Sequence, residues 1–215
     1  FTMKKIKFLI KYSKEFEIQR VLSTKKKLKW YSDNGYNLNN FTLPKGLSVE
    51  ELSKSSEAEI ISHINEEYDS EFFQPHAHTV NSLLPNYLNK LADYFLGINV
   101  KILPNIEIKL TRYGIGGSYN IPNTVIINTS KLFNIGLVRV VLHEIIHLHI
   151  QNLIDKYEIG QWEKEIIVDG IFEKFSVDIF KRQNYPIEAS KIQKIFKENH
   201  PKIELIVHNV SLLKK

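Results

Sequence analysis

The chain has 215 residues, of which 43% are hydrophobic, so it is long enough to bury a sizeable core. It contains no cysteine, which excludes disulfides and thiolate metal sites, and no stretch approaches the roughly 20 apolar residues of a membrane span. We therefore expect a cytoplasmic protein without a membrane partner. The formal net charge of +5 would favour binding of a polyanion such as a nucleic acid. However, lysine is abundant throughout the chain, so the charge does not require such a partner, and nucleic-acid binding is the less favoured interpretation.

The N-terminal residues 1–98 predict a mixed region of strands and helices, whose role the sequence does not indicate. Its first part contains three segments that we predict to be strands: residues 6–12, 16–22 and 25–31. The apolar run in the first of them covers only residues 8–10, which is too short for a signal peptide. Asn34-Gly35 after the third segment indicates a tight turn.

Helix signals follow in the rest of this region. Ser48 and Glu51 form a capping box, which predicts a helix from there to about residue 68. A stretch containing Pro75 ends this helix, and a second one is predicted over residues 79–95. Pro85 marks either the start of the second helix or a kink in it.

Residues 99–215 predict a second region, which begins with two short strands at residues 106–110 and 125–128. Three glycines between residues 114 and 117 connect them, without the lysine of a P-loop or the spacing of a dinucleotide-binding loop. We therefore predict a flexible hairpin or the rim of a cleft. An edge strand at such a rim can pair with an extended peptide.

The sequence His143-Glu144-Ile145-Ile146-His147 follows, inside an almost continuously apolar segment that predicts a buried helix. Two histidines four positions apart on a helix lie about 40° apart around the axis, so both imidazoles can bind one metal ion. Glu144 then points toward the open coordination position, where its carboxylate can accept a proton from a zinc-bound water. This pattern is H-E-x-x-H, the zinc metalloprotease signature.

The motif is specific in a chain of this composition. With 8 His and 18 Glu in 215 residues, about 0.02 chance matches are expected, so we favour a metal site. The alternative interpretation is a pair of core histidines bonded to backbone carbonyls, with Glu144 at a surface edge. His149 lies about 200° around the helix from His147 and is predicted to be a core histidine outside the site.

A zinc site needs a third protein ligand. No third histidine follows at the metzincin spacing. A helix predicted over residues 161–182 places Glu165 and Asp169 along one edge of its apolar stripe, whereas Glu163 projects to a different side. If the two helices pack antiparallel and the first one ends near residue 152 or 153, His147 and Glu165 lie at the same height along the helix pair.

Together these residues resemble the gluzincins, the thermolysin-like zinc metallopeptidases, over about residues 106–180. The resemblance implies that Zn²⁺ is bound by His143, His147 and Glu165. It implies that Glu144 is the general base and acid, and that Asp169 orients a ligand histidine. The implied fold is α+β, with a zincin-like catalytic domain over residues 99–215 that contains a small sheet, the active-site helix and the glutamate helix.

Two features depart from the gluzincin pattern. The asparagine that usually precedes the ligand glutamate is Lys164 in this chain. The His or Tyr that usually stabilises the oxyanion is not identified, and six residues are candidates for it: Tyr113, Tyr119, Tyr157, Tyr185, His200 and His208.

Residues 187–215 predict two further helices, separated by Asn199-His200-Pro201, which close the lower half of the cleft or cover it. The predicted function is zinc-dependent hydrolysis of peptide bonds in a peptide or protein substrate. One alternative is a regulatory metallopeptidase with a single protein target. Another is a non-catalytic binding protein, in which a fourth protein ligand takes the open zinc position. The sequence does not indicate an oligomeric state.

Overall fold

The computed structural model describes residues 6–214 and shows an α+β fold, as the sequence predicts. This part of the chain forms eight α-helices and one mixed four-stranded sheet. The first five residues of the predicted N-terminal region and Lys215 lie outside the described residues. Within residues 6–214, no helix is both long and apolar enough to cross a membrane.

The sheet has the strand order β1-β2-β4-β3. Its strands are β1 (Lys7–Lys11), β2 (Asn105–Thr111), β3 (Gly117–Asn120) and β4 (Thr124–Asn128). β1 and β4 both run parallel to β2, whereas β3 is antiparallel to β4. The strands predicted at residues 6–12, 106–110 and 125–128 are therefore confirmed, and β3 is an edge strand formed by the glycine-containing connection.

Helix α1 (Lys14–Asp33) occupies the segment for which we predicted two strands, so that prediction was wrong. The hydroxyl of Ser13 caps the helix and accepts a hydrogen bond from the Phe16 backbone N–H. The buried positions of α1 follow the helical period, but several of them carry polar side chains, including Glu17, Arg20 and Thr24. Because a polar inward face leaves no hydrophobic stripe in the sequence, the apolar runs were misread as strands.

The single helix predicted after Ser48 is two helices, α2 (Val49–Lys54) and α3 (Glu57–Glu67). The chain breaks there because Ser56 and Glu59 form a second capping box. Helix α4 (Gln74–Gly97) begins earlier than predicted, with Pro75 in its first turn, where its missing N–H costs no helical hydrogen bond.

The C-terminal half contains α5 (Asn134–Lys156), α6 (Gln161–Phe175), α7 (Ser190–Asn199) and α8 (Ile203–Ser211). α5 continues about a turn past the predicted end, and α6 stops at Phe175 instead of near residue 182. The chain leaves the helix at Ser176, where the backbone turns to an extended φ of −151°, and the polar segment 176–189 returns toward α6. The two helices predicted at the C-terminus are confirmed as α7 and α8.

A large apolar core lies between the sheet and the helices α4 to α8, and α5 passes through its middle. Its buried residues run from Ile6 to Val210, so segments on both sides of the predicted boundary at residue 98 contribute to it. The division into 1–98 and 99–215 remains a prediction. A smaller cluster formed by Val21, Leu52, Ile60, Ile64 and Tyr113 packs beneath α1.

Candidate metal centre

Helices α5 and α6 bring three potential metal ligands to one point. His143 Nε2 lies 3.0 Å from His147 Nε2, and Glu165 Oε2 lies 3.0 Å from the first nitrogen and 3.2 Å from the second. The two histidines share one face of α5 because they are one helical turn apart. Glu165 comes from the first half of α6, which packs against α5.

These three atoms fit a tetrahedral metal site. Ligand atoms about 2.05 Å from a tetrahedral ion are about 3.3 Å apart, close to the separations seen here. Two imidazoles with one carboxylate form a common zinc ligand set, and the three ligand atoms lie close enough together to share one ion. The alternative of histidines bonded to backbone carbonyls describes His149 instead, whose Nδ1 lies 2.7 Å from the Ile145 carbonyl oxygen.

The protonation of this cluster follows from burial and charge. Burial lowers the pKa of His147, so its imidazole stays neutral. Burial also disfavours the charged form of Glu165, but the two histidines outweigh it and hold the Glu165 pKa well below its usual value. Burial also disfavours the charged form of His143, but the Asp169 and Glu165 carboxylates outweigh it and raise the His143 pKa to about 10. His147 and Glu165 are therefore in the forms that bind a divalent metal, whereas a metal has to displace the proton of His143.

Asp169 lies one turn after Glu165 on α6, and its Oδ1 is 3.5 Å from His143 Nδ1. The segment 176–189 holds this carboxylate from the other side. The backbone N–H of Gln183 donates to Asp169 Oδ2 at 3.1 Å, and the Tyr185 hydroxyl donates to the same oxygen. Asp169 is therefore placed to orient the His143 ring, the supporting role expected around a metal ligand.

Glu144 lies beside the three-residue cluster and is not part of it. Its carboxylate faces the backbone of β3, so close that a Cβ on Gly117 would lie 2.4 Å from Glu144 Oε1. Burial raises the pKa of Glu144 to about 7. The carboxylate thus stands between the metal cluster and an edge strand. Glu163, in contrast, folds back toward Gly160 at the start of α6.

Arg20 of α1 holds the glycine-containing connection in place. Its guanidinium donates to the Tyr113 and Ile115 carbonyl oxygens, both at 3.3 Å, and to Ser118 Oγ at 2.9 Å. Gly114 has a φ of +83°, and a Cβ there would lie 2.5 Å from Arg20 Nε. This segment is a cleft rim, one of the two options predicted, but a buried arginine fixes it.

A cleft of about 950 Å³ opens over the cluster. One wall comes from α1 and the turn after it, and it includes Trp30, Tyr31 and Tyr36. The Tyr36 ring packs on Trp162 of α6 with centroids 5.2 Å apart, and the Trp162 indole N–H donates to the Asn34 carbonyl oxygen. The region 1–98, whose role the sequence did not indicate, therefore contributes a wall of the cleft.

The hydroxyl of Tyr36 is tied to the metal cluster through Gln161. Gln161 Nε2 donates to the Tyr36 oxygen at 2.8 Å and to Glu165 Oε1 at 2.9 Å. Burial raises the pKa of Tyr36, so the phenol keeps its proton. Since Gln161 uses the oxygen as an acceptor, the Tyr36 O–H remains able to donate into the cleft.

The oxyanion candidates from the sequence are scattered in the structure. Tyr119 lines the cleft and stacks on His147 with centroids 4.9 Å apart, and its oxygen accepts from Lys164 Nζ at 3.0 Å. Tyr185 donates to Asp169 behind His143. The other four have partners elsewhere: Tyr113 with Glu67, Tyr157 with Glu204 and His208, and His200 with Tyr94. Tyr36 and Arg20 were missed, and no local pattern around either residue indicated a role.

Comparison of the chain with protein-family models, with curated proteins and with solved structures finds no match. The resemblance to gluzincins therefore remains a prediction from the residues of this sequence.

Proposed function

We propose that this protein is a zinc-dependent metallopeptidase of the gluzincin type, with a zincin-like fold over residues 99–215. The observation that carries the proposal is the meeting of His143, His147 and Glu165 at one point, with the Glu144 carboxylate beside them in an open cleft. Among the His, Asp and Glu side chains of the described residues, this group contains three ligands and not four. A three-ligand site with an open position supports an enzyme over a structural zinc site.

His143, His147 and Glu165 would hold the ion, and Asp169 would keep the His143 ring oriented through its Nδ1. When bound, zinc lowers the pKa of a coordinated water to about 7 and polarises the scissile carbonyl. The chain's own contribution to the proton transfers is Glu144. Its carboxylate takes the proton of the attacking water and passes it to the leaving amine, so no proton has to come from solvent.

Tyr36 supplies the hydrogen-bond donor that the sequence did not identify. Tyr36 lines the cleft, and Gln161, which also donates to Glu165, fixes its oxygen. A neutral phenol can donate to the carbonyl oxygen of the substrate as negative charge develops on it. The aromatic neighbours Trp30 and Trp162 hold the ring, which limits the reorganisation needed during the reaction.

The test separates metal binding from catalysis. Glu144→Gln should retain one zinc per chain but lose hydrolysis of a quenched fluorogenic peptide library, because it removes the proton carrier and leaves the ligands intact. His143→Ala should lose most of the zinc, measured by metal analysis after reconstitution and desalting. The proposal is wrong if the wild-type chain retains no zinc, or if Glu144→Gln still cleaves the library at the wild-type rate.

A further inference from the structure

The charges that line the cleft are unevenly distributed. Its acidic residues are the three at the metal centre, Glu144, Glu165 and Asp169. Its basic residues come from four different segments and number six: Lys26, Lys27, Arg139, Lys164, Lys181 and Arg182. Away from the metal centre, the described lining of the cleft therefore carries positive charge without negative charge.

Three of the segments that approach the metal centre carry a cation close to it: α5, α6 and the segment after α6. Arg139 lies one helical turn before His143 on α5, so the two side chains are neighbours on the same face. Lys164 directly precedes Glu165. Lys181 is two residues before Gln183, whose side-chain nitrogen lies 3.4 Å from both His143 Nε2 and Glu165 Oε2. The positive residues thus surround the place where a scissile bond would lie.

Most of this charge is not neutralised within the protein. Arg182 pairs with Glu173 at 2.9 Å, and Lys164 donates to the Tyr119 hydroxyl. Lys26, Lys27, Arg139 and Lys181 form no ion pair with any residue of the range 6–214. Unpaired cations in a concave site raise the local concentration of anionic ligands and favour their binding.

The arrangement favours a polypeptide over a nucleic acid. β3 is an edge strand, and no strand within residues 6–214 pairs with its outer side. Gly117, Ser118 and Tyr119 of β3 line the cleft, so an extended peptide can add to this edge through backbone hydrogen bonds. A smaller groove continues along β3 past Ser118 and Asn120, and Lys27 lines both the cleft and this groove. A bound strand would therefore pass Lys27.

We propose that the cleft takes an extended acidic polypeptide segment, in which Asp or Glu residues on both sides of the scissile bond face the basic walls. Cleavage of such a segment rests on the proposed peptidase function, whereas its binding to the cleft does not. The side chains that select the segment are Lys27 on the α1 wall and Lys181 on the segment after α6. Their ammonium groups attract carboxylates at both ends of the bound strand.

The experiment uses three fluorescent peptides with one common core, flanked by Glu, Gln or Lys. Their binding to the zinc-loaded full chain carrying Glu144→Gln is measured by anisotropy, and their cleavage by the zinc-loaded wild type is measured in parallel. The Glu-flanked peptide should bind about tenfold tighter than the Lys-flanked one at low salt, and the ratio should shrink at about 0.5 M salt.

Charge-reversal variants locate the effect. Lys27→Glu and Lys181→Glu should each weaken binding of the Glu-flanked peptide by about twofold to fivefold, and each should improve binding of the Lys-flanked peptide. The matched control is Lys191→Glu, an equal charge change at an exposed position of α7 outside the cleft, which should leave the preference unchanged. Circular dichroism of each variant checks that the fold is retained.

The outcomes distinguish this inference from the proposed function. If the wild type cleaves nothing but the charge preference in binding holds, the peptidase proposal fails and the preference for acidic segments stands. Equal cleavage of the Glu- and Lys-flanked peptides, or equal affinity for them, overturns the preference for acidic segments and leaves the peptidase proposal intact. Tighter binding of a thymidine oligonucleotide than of the Glu-flanked peptide, lost in Lys27→Glu, would overturn it in favour of a nucleic-acid groove.

Discussion

The place where β3 meets Glu144 offers a sharp test of the proposed general base. Gly117→Ala adds a methyl group where the structure leaves no room, since its Cβ would lie 2.4 Å from Glu144 Oε1 and 2.8 Å from Val140 Cγ1. Contacts below about 3.0 Å are repulsive, so one side must move. The φ of Gly117 lies outside the positive range, so alanine fits the backbone, and the carboxylate at the end of a flexible side chain is displaced first.

The expected effect on catalysis is large and the effect on the fold is modest. A positioned general base contributes about 10² to 10⁴ in rate, and a displacement of about 1 Å can cost about 100-fold. We therefore expect Gly117→Ala to lower kcat at least about 100-fold. Overpacking costs about 1 to 3 kcal/mol of folding free energy. Zinc affinity should stay near the wild-type value, because the three atoms nearest to the added Cβ belong to Glu144 and Val140 and not to a metal ligand.

Gly116→Ala is the matched control, because a Cβ at Gly116 meets nothing within 4 Å. Initial rates on a fluorogenic peptide, with zinc affinity from competition against a chromophoric chelator, give both readouts for each variant. Wild-type kcat in Gly117→Ala would show that the rate does not depend on the position of Glu144. An equal loss in Gly116→Ala would show that the whole connection, and not the carboxylate, is responsible.

Three further predictions concern the third metal ligand, the buried carboxyl of Glu17 and the hydrogen-bond donor in the cleft. Glu165→Ala should lose most of the zinc after desalting, whereas Glu163→Gln on the same helix should retain it. Burial raises the pKa of Glu17 from 4.5 to about 7, so its contribution to stability is complete below pH 4.5 and is lost as pH rises through 7. Glu17→Gln should therefore stabilise the fold at pH 8, by on the order of 3 kcal/mol, and have little effect at pH 4, which urea unfolding measures. Tyr36→Phe should lower kcat about 10² to 10³-fold with little change in KM, and an unchanged kcat would exclude the hydroxyl as the donor.

The metal cluster could be predicted from the sequence because helix geometry determines it locally. Once residues 143 and 147 lie on a helix, their side chains share a face whatever the rest of the chain does. The same period places Glu165 and Asp169 together on α6, and the structure shows both beside His143. The two strands of alternating apolar residues were likewise readable from their period.

The walls of the cleft could not be predicted, because they depend on contacts between distant segments. Arg20 reaches residues 113–118, and Tyr36 reaches Gln161. Nothing in the local sequence of either partner indicates the other. Helix α1 itself was misread, since its buried face carries Glu17, Arg20 and Thr24. The break between α2 and α3, however, was readable, because Ser56 and Glu59 repeat the capping box of Ser48.

If the proposed function holds, chemistry and specificity come from different parts of this chain. The proposed metal ligands and Glu144 lie on two adjacent helices, so a substitution there would act on the reaction itself. The cleft wall and Lys27 come from α1 and the turn that follows it, and Arg20 of α1 holds the glycine rim in place. A change in α1 that preserves Arg20 can therefore alter which segment binds without moving a metal ligand. Substitutions along residues 26–40 other than Tyr36 should change substrate preference and leave zinc affinity constant, and a loss of zinc there would show that the wall and the centre are coupled.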